Sequence, residues 1–246
     1  FGGVLIDATL EQIRSTVLVI PDLHAPAVHP AAFSFVLEVA EAYAPIDRVV
    51  FLGDAYDLHA MSYHAKEAGM PTALDEVEQA KEQLQPFYDH FSAGRVDYMI
   101  GNHDWLIMRK AVDANIPEDW VKPIKSIFGF PRNWRIHPRF GRVLIDGVQY
   151  KHGEGLGGAT PAWAQAKASM RSTVIGHFHA SLSVNYYASE DVRLFGLSAG
   201  SLCDSSSLAM KYGVKYAKRP LLGMGVVVDG VHAYAEAMPL KNRGVR

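Results

Sequence analysis

Five short polar clusters, each directly after an apolar run, constrain this chain more than any other feature of its sequence. Asp22 and His24 (PDLH) follow VLVI at 17–20, and Asp54 and Asp57 (GDAYD) follow VVFL at 49–52. Asn102, His103 and Asp104 (GNHD) follow VDYMI at 96–100, His152 (KHGE) follows VQY at 148–150, and His177 and His179 (GHFH) follow STVI at 172–175. Short β-branched runs bounded by Pro or Gly read as strands buried on both faces. In open α/β sheets the loops beyond the carboxyl ends of the strands meet in one crevice, so clusters far apart in sequence can converge.

The rest of the chain supports that reading. Between the first two runs, Phe35, Val36, Val39 and Ala40 fall at helical spacing within 31–43, with Glu38 and Glu41 on the wet side. A second helix is expected from about 73 to 91, and Gly94 then leads to the third strand. After about residue 133 the texture becomes strand-like, at 134–137, 142–146, 148–151, 172–175, 182–187, 192–197 and 224–235, with turns at Asp146-Gly147 and Asp229-Gly230. Only 160–170 looks helical in that half. The expectation is a single α/β domain over 1–246, an αββα sandwich of two mixed β-sheets flanked by helices.

The clusters also suggest chemistry. Two Asp, one Asn and four His (Asp22, Asp54, Asn102, His24, His152, His177 and His179) form a mixed oxygen and imidazole set suited to Mn, Zn or Fe, without the thiolates of a structural zinc site. Asp22 and His24 lie two apart, as do His177 and His179; if each pair continues its strand, both side chains share one face and can chelate together. Alone, Asp-x-His is more often a turn or cap and His-x-His a surface pair. Five of the eleven histidines nevertheless lie in these clusters.

In their order, Asp-x-His, Gly-Asp-x-x-Asp, Gly-Asn-His-Asp, His and Gly-His-x-His, the motifs resemble the calcineurin-like metallophosphoesterase superfamily across residues 22 to 179. The resemblance implies a dinuclear centre of two divalent ions, Mn first, with Zn, Fe or Ni as alternatives. It implies Asp22, His24, Asp54 and His179 on one ion and Asp54, Asn102, His152 and His177 on the other. Asp54 then bridges two cations about 3.5–4 Å apart. A hydroxide between the metals would attack phosphorus in line. His103 is the candidate general acid, with Asp104 holding it in the imidazolium form. Asp57, outside this ligand pattern, either orients a ligating His or water, or closes its loop.

The substrate class stays open at this level. The chain lacks the Gly-Asp-x-Val-Asp-Arg-Gly arginine of the family's Ser/Thr protein phosphatases, which favours a phosphodiesterase or broad-specificity phosphoesterase. A nuclease is the main alternative and a phosphomonoesterase the next. A net charge of −2 offers no basic stripe for a polyanion, although Lys211, Lys215, Lys218 and Arg219 form a local cluster. Tyr56, His59, His64 and Trp105 are candidates to line a substrate groove. Gly153, Gly155 and Gly158 spell a dinucleotide fingerprint, but residues 170–180 hold none of the acids that motif requires. The remaining class is a metal-binding scaffold without activity, against which the retention of every ligand and His103 counts.

Phosphoester substrates, with nucleotides or nucleic acid among them, are the expected partners. No apolar run approaches a membrane span, and the single Cys203 excludes an intramolecular disulfide, so a cytoplasmic location is expected. Because the chain begins at Phe1, a removed leader is also compatible with it. Nothing in the sequence sets the oligomeric state.

Overall fold

The structure, a computed structural model, describes residues 15–63, 69–204, 206 and 219–239. Eleven strands and five α-helices are described. The first half alternates β1 (Thr16–Ile20), α1 (Ala32–Ala42), β2 (Arg48–Phe51), α2 (Ala73–His90), β3 (Val96–Met99) and α3 (Leu106–Asp113). Then come α4 (Ile124–Phe128), β4 (Arg135–His137), β5 (Val143–Ile145), β6 (Val148–Lys151), α5 (Pro161–Ser169) and β7 (Thr173–Ile175). The chain continues through β8 (Leu182–Ala188), β9 (Arg193–Ala199), β10 (Gly223–Val228) and β11 (His232–Ala237).

Two mixed sheets result. The first has the order β11-β10-β1-β2-β3-β4, with β1 to β4 parallel and β10 and β11 antiparallel. In the second, β5-β6-β7-β9-β8, the central three strands are parallel and the outer two antiparallel.

Strand alternation explains the layering. Leu18 and Ile20 of β1 pack with Phe35 and Val36 of α1 and with Leu84 and Phe87 of α2. Val17 and Val19, on the opposite face, meet Tyr150, Val174, Phe195 and Leu197 of the second sheet. Each central strand is therefore covered on both faces, which is why its sequence reads as an unbroken apolar run. Helix α5 covers the outside of the second sheet, so close that a Cβ at Gly196 would lie 2.5 Å from the Trp163 backbone nitrogen. The expected sandwich of two mixed sheets flanked by helices is the observed architecture. The expected piece at 224–235 is a hairpin, β10 and β11 joined through the predicted Asp229-Gly230 turn.

Candidate metal centre

The loops that follow β1, β2, β3, β6 and β7 meet at one end of the sandwich. Their backbones depart from regular geometry where the polar residues sit: His24, Asp54 and His177 have φ of 50°, 50° and 61°. Left-handed conformations at non-glycine residues cost on the order of 1–3 kcal/mol each and persist only where the surroundings over-determine them.

Here the surroundings do so. The amide of His24 donates to Asp54 O at 2.9 Å, and that of Asp57 to Ala25 O at 3.0 Å. The buried Asp104 carboxylate accepts from the amides of Asp54 (2.8 Å), Gly101 (3.0 Å) and Tyr56 (3.2 Å) and from the Tyr98 hydroxyl (2.9 Å). Two glycines give the acids room: a Cβ at Gly101 would collide with the Asp54 carboxylate, and one at Gly176 with that of Asp22.

Two groups of donors result. Asp22, His24 and His179 form the first, with His179 Nε2 3.3 Å from Asp22 Oδ1 and 3.0 Å from His24 Nε2. Asp54, His152 and His177 form the second, in which His152 Nε2 lies 3.2 Å from Asp54 Oδ2. Asn102 belongs beside the second group, its Oδ1 3.1 Å from His152 Nε2. Within each group the candidate ligand atoms lie within 4.8 Å of one another.

The donor atoms in these groups suit cations. His152 Nδ1 is 2.8 Å from the carbonyl of Leu52, an acceptor only, so Nδ1 carries a hydrogen and Nε2 of the neutral ring is a bare lone pair. That lone pair faces Asp54 Oδ2 and Asn102 Oδ1. With Asn102 Oδ1 and Asp54 Oδ2 both beside Nε2, a proton or a metal ion between them satisfies the three atoms. With a proton there, burial works to lower the His152 pKa, but the carboxylates of Asp54 and Asp22 outweigh it and raise it to about 10. A cation competes for the same lone pair. His24 is built likewise, with Nδ1 donating to Asp57 Oδ1 at 2.8 Å and Nε2 turned toward Asp22 and His179. Burial, then the neighbouring His103, lowers the His24 pKa; burial, then His152, lowers that of His177; both shifts favour the neutral imidazole that binds metal.

A third set, His24, Asp57 and His103, is closed by hydrogen bonds. His103 Nδ1 lies 2.7 Å from Asp57 O and 3.1 Å from Asp57 Oδ1. Burial opposes protonation of His103, but Asp54 and Asp57 outweigh it and raise its pKa to about 10. His103 is partly exposed, at 15%.

Several expectations change. Asp104 does not hold His103: its carboxylate is occupied by the Asp54 loop, and Asp57 takes the position beside the imidazole. The His177/His179 pair does not chelate together, because the left-handed turn at His177 ends the strand alternation and sends the two rings to different groups. Tyr56 lines no groove either; it is fully buried and stacks on Phe128 with ring centroids 3.7 Å apart. His59 is buried as well, Trp105 is half-buried against the helix-side core, and His64 lies outside the described residues. So do Lys211, Lys215 and Lys218 of the basic cluster.

The sequence reading missed Glu76. This buried acid on α2 accepts from the amides of His59 (2.7 Å) and Ala60 (2.8 Å) and fixes the chain just beyond Asp57. No local pattern distinguishes it from the neighbouring exposed acids of α2.

No protein-family model and no curated protein matches the chain. Among solved structures, the crystal structure of Pseudomonas putida nuclease MPE aligns over 87% of this chain and 84% of that one, with 13% identity and a TM-score of 0.33. A likeness at that TM-score carries no weight for fold or function.

Proposed function

We propose that this chain is a metal-dependent phosphoester hydrolase of the calcineurin-like kind, acting on phosphodiesters or on a broad range of phosphoesters. The observation that carries the reading is the convergence of Asp54 Oδ2 and Asn102 Oδ1 on His152 Nε2, beside a second group of Asp22, His24 and His179. Asp22, His24, Asp54 and His179 would hold one cation, and Asp54, Asn102, His152 and His177 the other. When bound, two divalent ions, Mn²⁺ first with Zn²⁺, Fe²⁺ or Ni²⁺ as alternatives, would supply Lewis acidity to phosphoryl oxygens and lower the pKa of water.

The protein's own groups do the rest. Asp57 orients His24 through Nδ1, keeping its Nε2 free for a ligand. The same carboxylate holds His103 as an imidazolium, whose Nε2–H is left to protonate the departing oxygen. The Asp104 clamp positions Asp54 without touching substrate.

The test compares initial rates on bis-(p-nitrophenyl) phosphate and p-nitrophenyl phosphate, using metal-stripped protein reloaded with Mn²⁺ and Asp54→Ala as the blank. Faster diester cleavage supports the reading and leads next to cyclic nucleotides and DNA. Faster monoester cleavage would keep the metal centre and replace the substrate class. No turnover of either ester with Mn²⁺, Zn²⁺, Fe²⁺ or Ni²⁺ would overturn the proposal.

A further inference from the structure

The first sheet has a second polar end. Arg48, Arg95, Asp97 and Arg135 stand at the N-terminal ends of β2, β3 and β4, and with Gly94 and Asn133 they line a cavity of about 500 Å³. The candidate metal centre lies beyond the opposite ends of β2 and β3, on the order of 13 Å away at about 3.3 Å per residue. The two sites share no residue.

The charges in this cavity are unbalanced. Asp97, 1% exposed, accepts from Arg48 Nη2 at 2.7 Å and lies 2.8 Å from His137 Nε2. That single carboxylate is committed on both oxygens. Among the described residues, the side chains of Arg95 and Arg135 have no carboxylate partner, and both are exposed. Arg48 Nε is buried with no acceptor. A buried guanidinium N–H without a protein partner is costly.

The walls are fixed in place. Asn133 Nδ2 donates to Gly94 O at 3.0 Å, tying the loop before β4 to the loop before β3. Trp134 Nε1 donates to Phe91 O at 3.3 Å and anchors the same junction to the core. Arg135 shares its face of β4 with His137 by strand alternation, and Arg48 shares its face of β2 with Val50.

We propose that this cavity binds a small oligophosphate anion, of the pyrophosphate class, at a site separate from the metal centre. Guanidinium forks match phosphate oxygens bidentately, and several around one cavity suit a multiply charged anion. A volume of about 500 Å³ lies within the roughly 300–1,000 Å³ typical of small-molecule sites, well above the needs of a single ion. The lining has no aromatic side chain, so nothing in it would stack on a base. Recognition rests on the phosphates.

The test is calorimetric titration of the full chain, as purified, with methylenediphosphonate, a pyrophosphate analogue that cannot be hydrolysed. Wild type and Asp54→Ala should both bind one equivalent at this site, and Arg95→Ala/Arg135→Ala should weaken it at least tenfold. Arg95→Lys/Arg135→Lys keeps the charge and loses the fork geometry, so it should fall between the two. Both arginines are exposed, and neither double variant should alter the thermal melt or ester turnover. No binding to wild type, equal binding to the Arg95→Ala/Arg135→Ala protein, or binding abolished by Asp54→Ala would each overturn the proposal. Loss of binding in Asp54→Ala would instead place the anion at the metal centre; the other two results leave the metal-centre reading untouched.

Discussion

At their C-terminal ends, β1 and β2 run into loops where His24 and Asp54 take left-handed backbone conformations and acceptors face acceptors. At its N-terminal edge the same sheet keeps regular strand geometry but carries guanidinium groups that outnumber their carboxylates. One end gathers acceptor atoms; the other gathers guanidinium groups. Between them the strands are plain apolar packing, Leu18 and Ile20 on one face and Val17 and Val19 on the other. The contrast puts the polar groups of this sheet at its two ends, while the apolar body of the strands holds those ends apart.

The sharpest way to break the comparison is to remove an acceptor from the crowded end. Asp54→Ala should reduce phosphoester turnover to background and lose bound metal with it, as read by activity and elemental analysis on the same sample. A variant that kept its metal but lost its rate would show that Asp54 acts otherwise. His103→Asn should be next in size, lowering turnover of esters with poor leaving groups by about 10²–10⁴-fold while metal content stays unchanged. An activated leaving group should lose less. Asp57→Asn tests the carboxylate beneath two imidazoles, and the loss expected for an outer partner of a ligand is about 10–100-fold in metal affinity or rate.

The smallest effect belongs to the opposite end and concerns stability. Burial alone would raise the Asp97 pKa, but His137 and Arg48 outweigh it and bring it below the ordinary carboxylate value. The folded state therefore releases this proton more readily than the unfolded chain. Its contribution is complete above the unfolded value near 4 and is lost as pH falls through the folded one. Asp97→Asn should lower stability at pH 7 and flatten the decline below about pH 4, as followed by urea denaturation at both pH values. A decline as steep as in wild type would place the acid sensitivity elsewhere.

How much of this was legible in sequence follows from how local each signal is. The runs at 17–20, 48–51 and 96–100 announce buried strands, and Phe35 to Ala40 announces α1, because period and composition act over a few residues. Between 113 and 133, Pro117, Pro123 and Pro131 interrupt any period, and only a short 3₁₀ turn at Glu118–Trp120 and the five-residue α4 form there.

At the candidate centre the clusters announced which residues would meet, yet not how. Asp104 and His103 are adjacent in sequence and their side chains part company, one into the Asp54 loop and the other onto Asp57. His177 and His179 separate because one residue turns left-handed, which no spacing rule encodes. The arginine cavity was invisible: residues 48, 95 and 135 become neighbours only through the parallel order of β2, β3 and β4.

The measurement closest to the central claim is a count of bound Mn²⁺ by electron paramagnetic resonance. Metal-stripped wild type and His152→Ala would be titrated with Mn²⁺ and the free ion quantified at each addition. Two ions per wild-type chain, with at least one lost from His152→Ala, is the predicted result. No bound Mn²⁺ in wild type, or an unchanged count when His152 is removed, would contradict it.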